Sequence, residues 1–244
     1  MFCGMLALLE AGYRLGRARR LKESDADRSS LATVEGAVFA LFGLLMAFTF
    51  SGAASRFNDK RALIGVEANA IETAYLRLQI LPPDAQPRLK GLFQKYLDSR
   101  LATYGKLPDM EAAETEMAES KRLQQEIWST AIAAIALPDA RPSAGFLLPP
   151  ALNNMIDVLT TRTVALYLHP PGIIYGLLLV VSLISSLLVG YRMAGAPRRS
   201  WIHILGFITM TVVVAYVMLD IEYPRTGFFR LNDSFLIQVR QQMK

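Results

Sequence analysis

The side chains best placed to do chemistry in this sequence lie on one apolar segment and its basic end. Phe42, Met46 and Phe50 are four residues apart, and Arg56 follows six residues after Phe50. Residues four apart are neighbours on a helix, so the three apolar side chains predict a stripe along one face. In a ring of subunits, such a stripe forms dry constrictions that gate an ion path. These four residues are the predicted pore-lining set, and Arg56 at one mouth favours anions.

The same stripe also fits a packed helix interface with a basic anchor at the membrane edge. No charged side chain occurs from Gly36 to Ser55, and about 20 helical residues span the roughly 30 Å hydrocarbon core of a bilayer. The first half of this segment is bulky, whereas Thr49 to Ser55 is small and hydroxylic. Small residues allow a second backbone to approach closely, which predicts a membrane helix in a homo-oligomer.

Catalytic and metal-binding patterns are absent from the sequence. Cys3 is the single cysteine, and His169 and His203 lie in separate segments. Glu67 and Glu72 are five residues apart and do not share a helix face well. We therefore expect no enzyme, no cofactor and no metal site.

Composition indicates several membrane helices together with a polar helical part. The chain has 244 residues, of which 52% are hydrophobic, with a net charge of +5 and a pI near 9.4. In a membrane protein, basic residues set orientation and meet lipid head groups. The bilayer, and not a nucleic acid, is therefore the expected partner.

The predicted fold class is an all-α membrane protein. About four transmembrane helices are expected, with a large extramembrane helical bundle between spans two and three. In that bundle, Ile64, Ala68, Ile71, Tyr75 and Leu78 repeat at heptad spacing, so the membrane helix should continue into it. The expected segments are a short first membrane helix and basic loop (1–33), a second membrane helix (34–56), the extramembrane helical domain (57–171), a third membrane helix (172–194), a basic turn with a fourth membrane helix (195–221) and an amphipathic tail (222–244).

Basic residues in the two short loops predict the orientation. The first loop carries Arg14, Arg17, Arg19, Arg20, Lys22 and Arg28, and the second carries Arg192, Arg198 and Arg199. Short basic loops stay in the cytoplasm. We therefore expect a multi-pass protein of the cell inner membrane, with its helical domain in the periplasm.

Two long motifs resemble a family of membrane proteins. The runs GLLMAFTFSGAASRFNDKRALIGVEANAIETAYLR and DIEYPRTGFFRLNDSFLIQVR are similar to those of bacterial and plant bestrophin-like proteins. The distant resemblance to bestrophin anion channels implies a pentamer of four-span subunits whose second helix lines a hydrophobic neck. Phe48 followed eight residues later by Arg56 matches the aromatic and arginine at the base of that neck.

The sequence departs from true bestrophins at two points. Only Asp220 and Glu222 stand where animal bestrophins carry the acidic run of their calcium clasp. The resemblance also implies a cytosolic helical region, opposite to the orientation that the basic loops predict.

Two functions remain open at this stage. The first is an oligomeric bestrophin-like ion channel, selective for a small inorganic anion. The alternative is a non-conducting membrane scaffold or sensor that acts through its helical domain.

Overall fold

A computed structural model describes residues 1–19, 25–106, 109–195, 199–223 and 227–243. Within these ranges all regular structure is helical, and the side chains of residues 25–28 and 110 are not described. Several predicted features therefore lie outside the described part, namely Arg20, Lys22 and Arg198, with the side chain of Arg28. The helices are α1 (Phe2–Arg19), α2 (Asp25–Leu76), a 3-10 turn (Arg77–Ile80), α3 (Gln86–Gly105), α4 (Met110–Ile135), α5 (Ala144–Tyr167), α6 (Gly172–Met193), α7 (Trp201–Glu222) and α8 (Ser234–Gln242).

The chain divides into two compact units. The first unit comprises Met1–Ser55 and His169–Glu222, and the second comprises Arg56–Leu168 and Tyr223–Lys244. The long helix α2 supplies residues to both units.

Three helical stretches are long and apolar enough to cross a membrane among the described residues. They are Ser29–Ile80, Ala144–Met193 and Trp201–Glu222. The prediction of several long apolar helices is therefore confirmed, but α1, which was expected as a short first span, is not one of the three candidates. The last turns of α1 carry Arg14, Arg17 and Arg19. Its uncharged stretch is therefore too short to cross a bilayer.

The start of α2 differs from the expected one. The basic loop was expected to extend to residue 33, yet α2 begins at Asp25. Thr33 lies inside the helix and donates its hydroxyl to the Ser29 carbonyl at 3.2 Å. In the second unit, α5 begins at Ala144, and Ala144 and Leu148 are fully buried in its first turns.

Close backbone contact between α1 and α6 dominates the first unit. A Cβ added at Gly12 would overlap the Leu187 carbonyl, and one added at Gly190 would overlap the Leu9 carbonyl. Gly16 lies one turn after Gly12 and meets the Tyr191 carbonyl in the same way. This small-residue spacing is typical of membrane helix pairs, where packing replaces the hydrophobic effect as the main attraction.

The second unit has a core like that of a soluble helical bundle. Tyr75 of α2 packs edge-on against Phe93 of α3, with ring centroids 5.8 Å apart. Leu123 and Ile127 of α4 and Leu152 of α5 are fully buried in the same cluster. Helix α4 is capped by Asp109, whose carboxylate accepts the Ala112 amide at 3.1 Å.

Candidate functional site

The predicted pore stripe does not lie on one exposed surface of the chain. Phe42 is buried, with 8% of its surface exposed. Met46 is half-buried and Phe50 is 40% exposed. The stripe thus turns from the packed side of α2 at Phe42 to its open side at Phe50.

A line of small residues runs beside Phe50 on the open side of α2. Gly36, Ala40, Gly43 and Ala47 are all exposed and are spaced by four, three and four residues. A Cβ added at Gly36 or Gly43 would meet nothing within 4 Å. This small stripe, defined by these four residues, leaves room for another backbone or for water.

The other candidate residues of α2 lie elsewhere on the helix. Phe48 is 68% exposed, on the side that carries Leu41 and Leu44. Arg56 is half-buried and, like the buried Lys60, takes part in polar contacts of its own. Both basic residues belong to the second unit.

Within the second unit, a carboxylate from α2 is fully buried between two arginines. Arg100 of α3 donates from Nε to Glu67 Oε1 at 2.6 Å, and both side chains have no exposed surface. Arg162 of α5 donates from Nη1 to the other oxygen, Glu67 Oε2. Each oxygen of Glu67 therefore has its own guanidinium partner.

The same network reaches the segment before α8. Arg162 Nη2 donates to Asp233 Oδ1 at 2.9 Å, and its guanidinium carbon lies 3.8 Å from the Tyr104 ring centroid. Arg100 donates to the Tyr104 hydroxyl. Burial raises the pKa of Tyr104 to about 12, so its phenol stays neutral at physiological pH. Two arginines thus balance two carboxylates, and this buried network comprises Glu67, Arg100, Tyr104, Arg162 and Asp233.

The contacts of the buried network join several helices of the second unit. Its carboxylates are both held by guanidinium donors, and a nucleophile or poised base is not part of it. Breaking one partner of such a network leaves an uncompensated buried charge, which is costly. The network therefore ties α2, α3, α5 and the C-terminal segment into one arrangement.

Sequence reasoning missed this network, although a signal was present. Glu67 lies three residues after Ile64 and four before Ile71, on the apolar stripe and not beside it. Arg100 likewise follows Tyr96 by four residues, and Arg162 follows Leu159 by three. A charge at a core position of an amphipathic helix signals a buried partner, because a lone buried charge is not tolerated.

The acidic residues at the end of α7 do not form a metal site in the described part of the chain. Asp220 and Glu222 are buried, and Glu222 Oε1 lies 3.1 Å from His169 Nδ1. Both carboxylates have further interactions. Among the described residues, no three His, Cys, Asp or Glu side chains are grouped as metal ligands.

The comparisons with known proteins now decide the family. The family model described as the bestrophin-like domain matches residues 6–236. This chain belongs to the bestrophin-like family. The resemblance seen in the two sequence motifs is thereby confirmed, and the match runs from Leu6 in α1 to Leu236 in the first turn of α8. No curated protein and no solved structure matches the chain.

Family membership connects the two motifs with the structure. The first motif contains the small residues Gly43 and Ala47 as well as Glu67. The second contains Asp233. The bestrophin-like motifs therefore cover both part of the small stripe on α2 and both carboxylates of the buried network.

Proposed function

We propose that this bestrophin-like chain is a subunit of a homo-oligomeric ion channel that favours small inorganic anions. The observation that carries the proposal is that the apolar part of α2 is mostly exposed on the surface of the single chain. In the most apolar 18-residue stretch of α2, only 11% is buried inside the chain. The corresponding shares are 28% and 22% for the other two candidate spans. An uncovered apolar helix bearing the small stripe suits a ring of α2 helices around an axis, where small side chains leave space for a path.

In this channel, α2 lines the path with the small stripe and with Phe50. Phe50 lies three residues after Ala47 and is exposed on the same side of the helix. A ring of Phe50 side chains forms a narrow dry barrier, and Arg56 lies about 9 Å farther along α2. Pore roles for Phe42 and Met46, which face the packed side, stay predictions.

The remaining membrane architecture follows from the packing of the first unit. Because α1 meets α6 backbone to backbone, we place α1 in the membrane as a short fourth inserted helix. The second unit, with its soluble-type core, is then an extramembrane bundle. We place the chain in the inner membrane, with the basic ends of α1 and α6 in the cytoplasm and the bundle in the periplasm.

This orientation has a built-in reporter. Cys3 is the single cysteine, is exposed, and lies at the opposite end of α1 from the arginines. A membrane-impermeant maleimide should label Cys3 in intact cells and should not label Ala196→Cys in a Cys3→Ser background. The reverse labelling pattern would indicate the opposite membrane orientation, with the bundle in the cytoplasm.

Flux through liposomes tests conduction. Wild-type protein should pass chloride faster than sodium. Phe50→Ala should raise the flux by widening the barrier, and Arg56→Glu should shift selectivity toward cations.

Phe146→Ala and Arg88→Glu are the matched controls, because both side chains are exposed in the second unit. Neither control should change the flux. An intact oligomer that passes no ion, with or without Phe50→Ala, would refute the channel.

A cleft in the second unit favours the alternative, a non-conducting scaffold or sensor. It lies between α4 and α5, encloses about 340 Å³, and is lined by Lys121, Gln124, Trp128, Leu159 and neighbouring side chains. That volume is in the range of small-molecule sites. Crosslinking in intact membranes separates the two functions, since a reproducible foreign partner supports the scaffold and contacts among copies of this chain support the channel.

A further inference from the structure

One end of the first unit gathers the ends of four helices. Arg199, just before α7, donates from Nη2 to Glu10 of α1 at 2.6 Å. Arg192, in the last turn of α6, donates from Nη1 to Glu35 of α2 at 2.9 Å. These two ion pairs bring the C-terminal parts of α1 and α6 together with the N-terminal parts of α2 and α7.

The described side chains at this end carry an excess of positive charge. Both carboxylates, Glu10 and Glu35, are already paired with arginine. Residues 20–28, by sequence alone, contain three basic and three acidic residues and add no net charge, whereas Arg198 adds one more positive charge. The arginines described here, called the arginine rim, are Arg14, Arg17, Arg19, Arg192 and Arg199.

The arginine rim also has the aromatic side chains that mark a membrane–water interface. The guanidinium carbon of Arg199 lies 4.6 Å from the Tyr13 ring centroid and 4.5 Å from that of Trp201. Tyr and Trp concentrate at the level of lipid head groups. Among the described residues, the Nε of Arg199 is buried without an acceptor, so the protein leaves this guanidinium incompletely satisfied.

Apolar surface lies directly beside the rim. Leu15 is between Arg14 and Arg17 on α1 and is 49% exposed, and Ile202, next to Trp201, is 84% exposed. A ligand that fits this surface carries a negative head and a long apolar body. Free phosphate would match the arginines and leave the apolar residues without a partner.

We infer that the arginine rim binds an anionic phospholipid. The phosphate meets Arg17 and the exposed edge of the Arg199 guanidinium, since Arg17 lies four residues after Tyr13, which Arg199 contacts. Arg19 adds positive charge nearby, and an acyl chain lies along Ile202. Arg17 and Arg19 contribute the most accessible charge, because both are exposed in the last turn of α1. The binding does not depend on whether the protein conducts ions.

Native mass spectrometry of the full-length protein tests this site. Detergent-purified protein is mixed with equal amounts of phosphatidylglycerol and phosphatidylcholine of the same acyl chains. Phosphatidylglycerol should be retained preferentially, and Arg17→Gln with Arg19→Gln should lower its retention roughly 30-fold at low salt, since each arginine near an anionic surface contributes about fivefold. The control pair Arg88→Gln with Arg141→Gln, exposed in the second unit, should leave retention unchanged.

Three further measurements decide among the other outcomes. Arg17→Lys with Arg19→Lys keeps the charge and should keep phosphatidylglycerol bound, which guards against a folding artefact in the glutamine pair. Glycerol 3-phosphate should not displace the lipid; full displacement would mean a site for free phosphate esters. Equal retention of the two lipids, or equal loss in the rim and control variants, would overturn the proposal.

Discussion

The helices of the two units are held together by different kinds of contact. The second unit buries four charges at its centre, where Glu67 and Asp233 are matched by Arg100 and Arg162. In the first unit α1 and α6 meet at glycines, the arginines lie at one end, and the buried carboxylates of α7 lie at its C-terminal end. One unit is therefore held by ion pairs inside an apolar core, and the other by close backbone contact.

This difference is expected if one unit folds in water and the other in a lipid bilayer. In water, burying apolar side chains drives folding, and a charge can be included if every partner is supplied. In a bilayer the lipid is as apolar as leucine, so helices gain little from burying leucine and associate through small residues instead. The contrast between the buried network and the glycine contact thus agrees with a membrane unit joined to an extramembrane bundle.

The chain offers a separate optical reporter for each unit. Trp128 packs against the core of the second unit, and Trp201 begins α7 in the first. Trp201→Phe therefore leaves fluorescence that follows the second unit, and Trp128→Phe leaves fluorescence that follows the first. Both backgrounds are used below.

The largest effect is expected from removing the central charge of the buried network. Glu67→Gln keeps the shape but leaves Arg100 and Arg162 without a carboxylate between them. Removing one partner of a buried ion pair costs about 3–5 kcal/mol, so the second unit should unfold at a much lower temperature or denaturant concentration. The measurement is denaturant unfolding followed by Trp128 in the Trp201→Phe background.

The matched control for this variant is Glu114→Gln, an exposed carboxylate on α4. It should leave the transition unchanged. If Glu67→Gln also shifted stability by less than about 1 kcal/mol, comparable to an exposed ion pair, the second unit would not depend on its buried charges. The contrast between the two units would then fail.

The sequence predicted the helical fold class and the apolar spans well, because long apolar runs and heptads are local signals. It predicted the start of α2 less well, since this helix begins at Asp25, inside the stretch expected to be a basic loop. The buried network was missed because Glu67 and Asp233 are far apart in sequence and their partners become visible only in three dimensions. The pore stripe could be predicted as a helical face, but which side of α2 stays open depends on its contacts with α6 and α7.

An intermediate effect is expected from filling the glycine contact in the first unit. Gly190→Ala places a methyl group against the Leu9 backbone, and a carbonyl cannot yield as a side chain can. Overpacking of this kind costs about 1–3 kcal/mol and should separate α1 from α6. Thermal unfolding followed by Trp201 in the Trp128→Phe background should show the loss, and Trp128 in the other background should not.

Gly176→Ala is the control on the same helix. A Cβ there meets nothing within 4 Å, so alanine should be tolerated and can even favour the helix by up to about 1 kcal/mol. Equal effects of the two substitutions would show that α6 responds to helix propensity alone. In that case the α1–α6 contact would not be the feature that holds the first unit together.

The smallest effect is expected at the serines of α6. Ser182 donates to the Leu178 carbonyl at 2.6 Å, whereas the buried hydroxyl of Ser185 has no hydrogen-bond partner among the described residues. An unpaired buried hydroxyl destabilises the fold, so Ser185→Ala should be neutral or stabilising by up to about 1 kcal/mol.

Ser182→Ala, which removes a hydrogen bond, is the comparison and should be slightly destabilising. Both are measured by Trp201 in the Trp128→Phe background. If Ser185→Ala instead destabilised the protein more than Ser182→Ala, the Ser185 hydroxyl would form a hydrogen bond in the folded first unit, and the interpretation of an unpaired hydroxyl would be wrong.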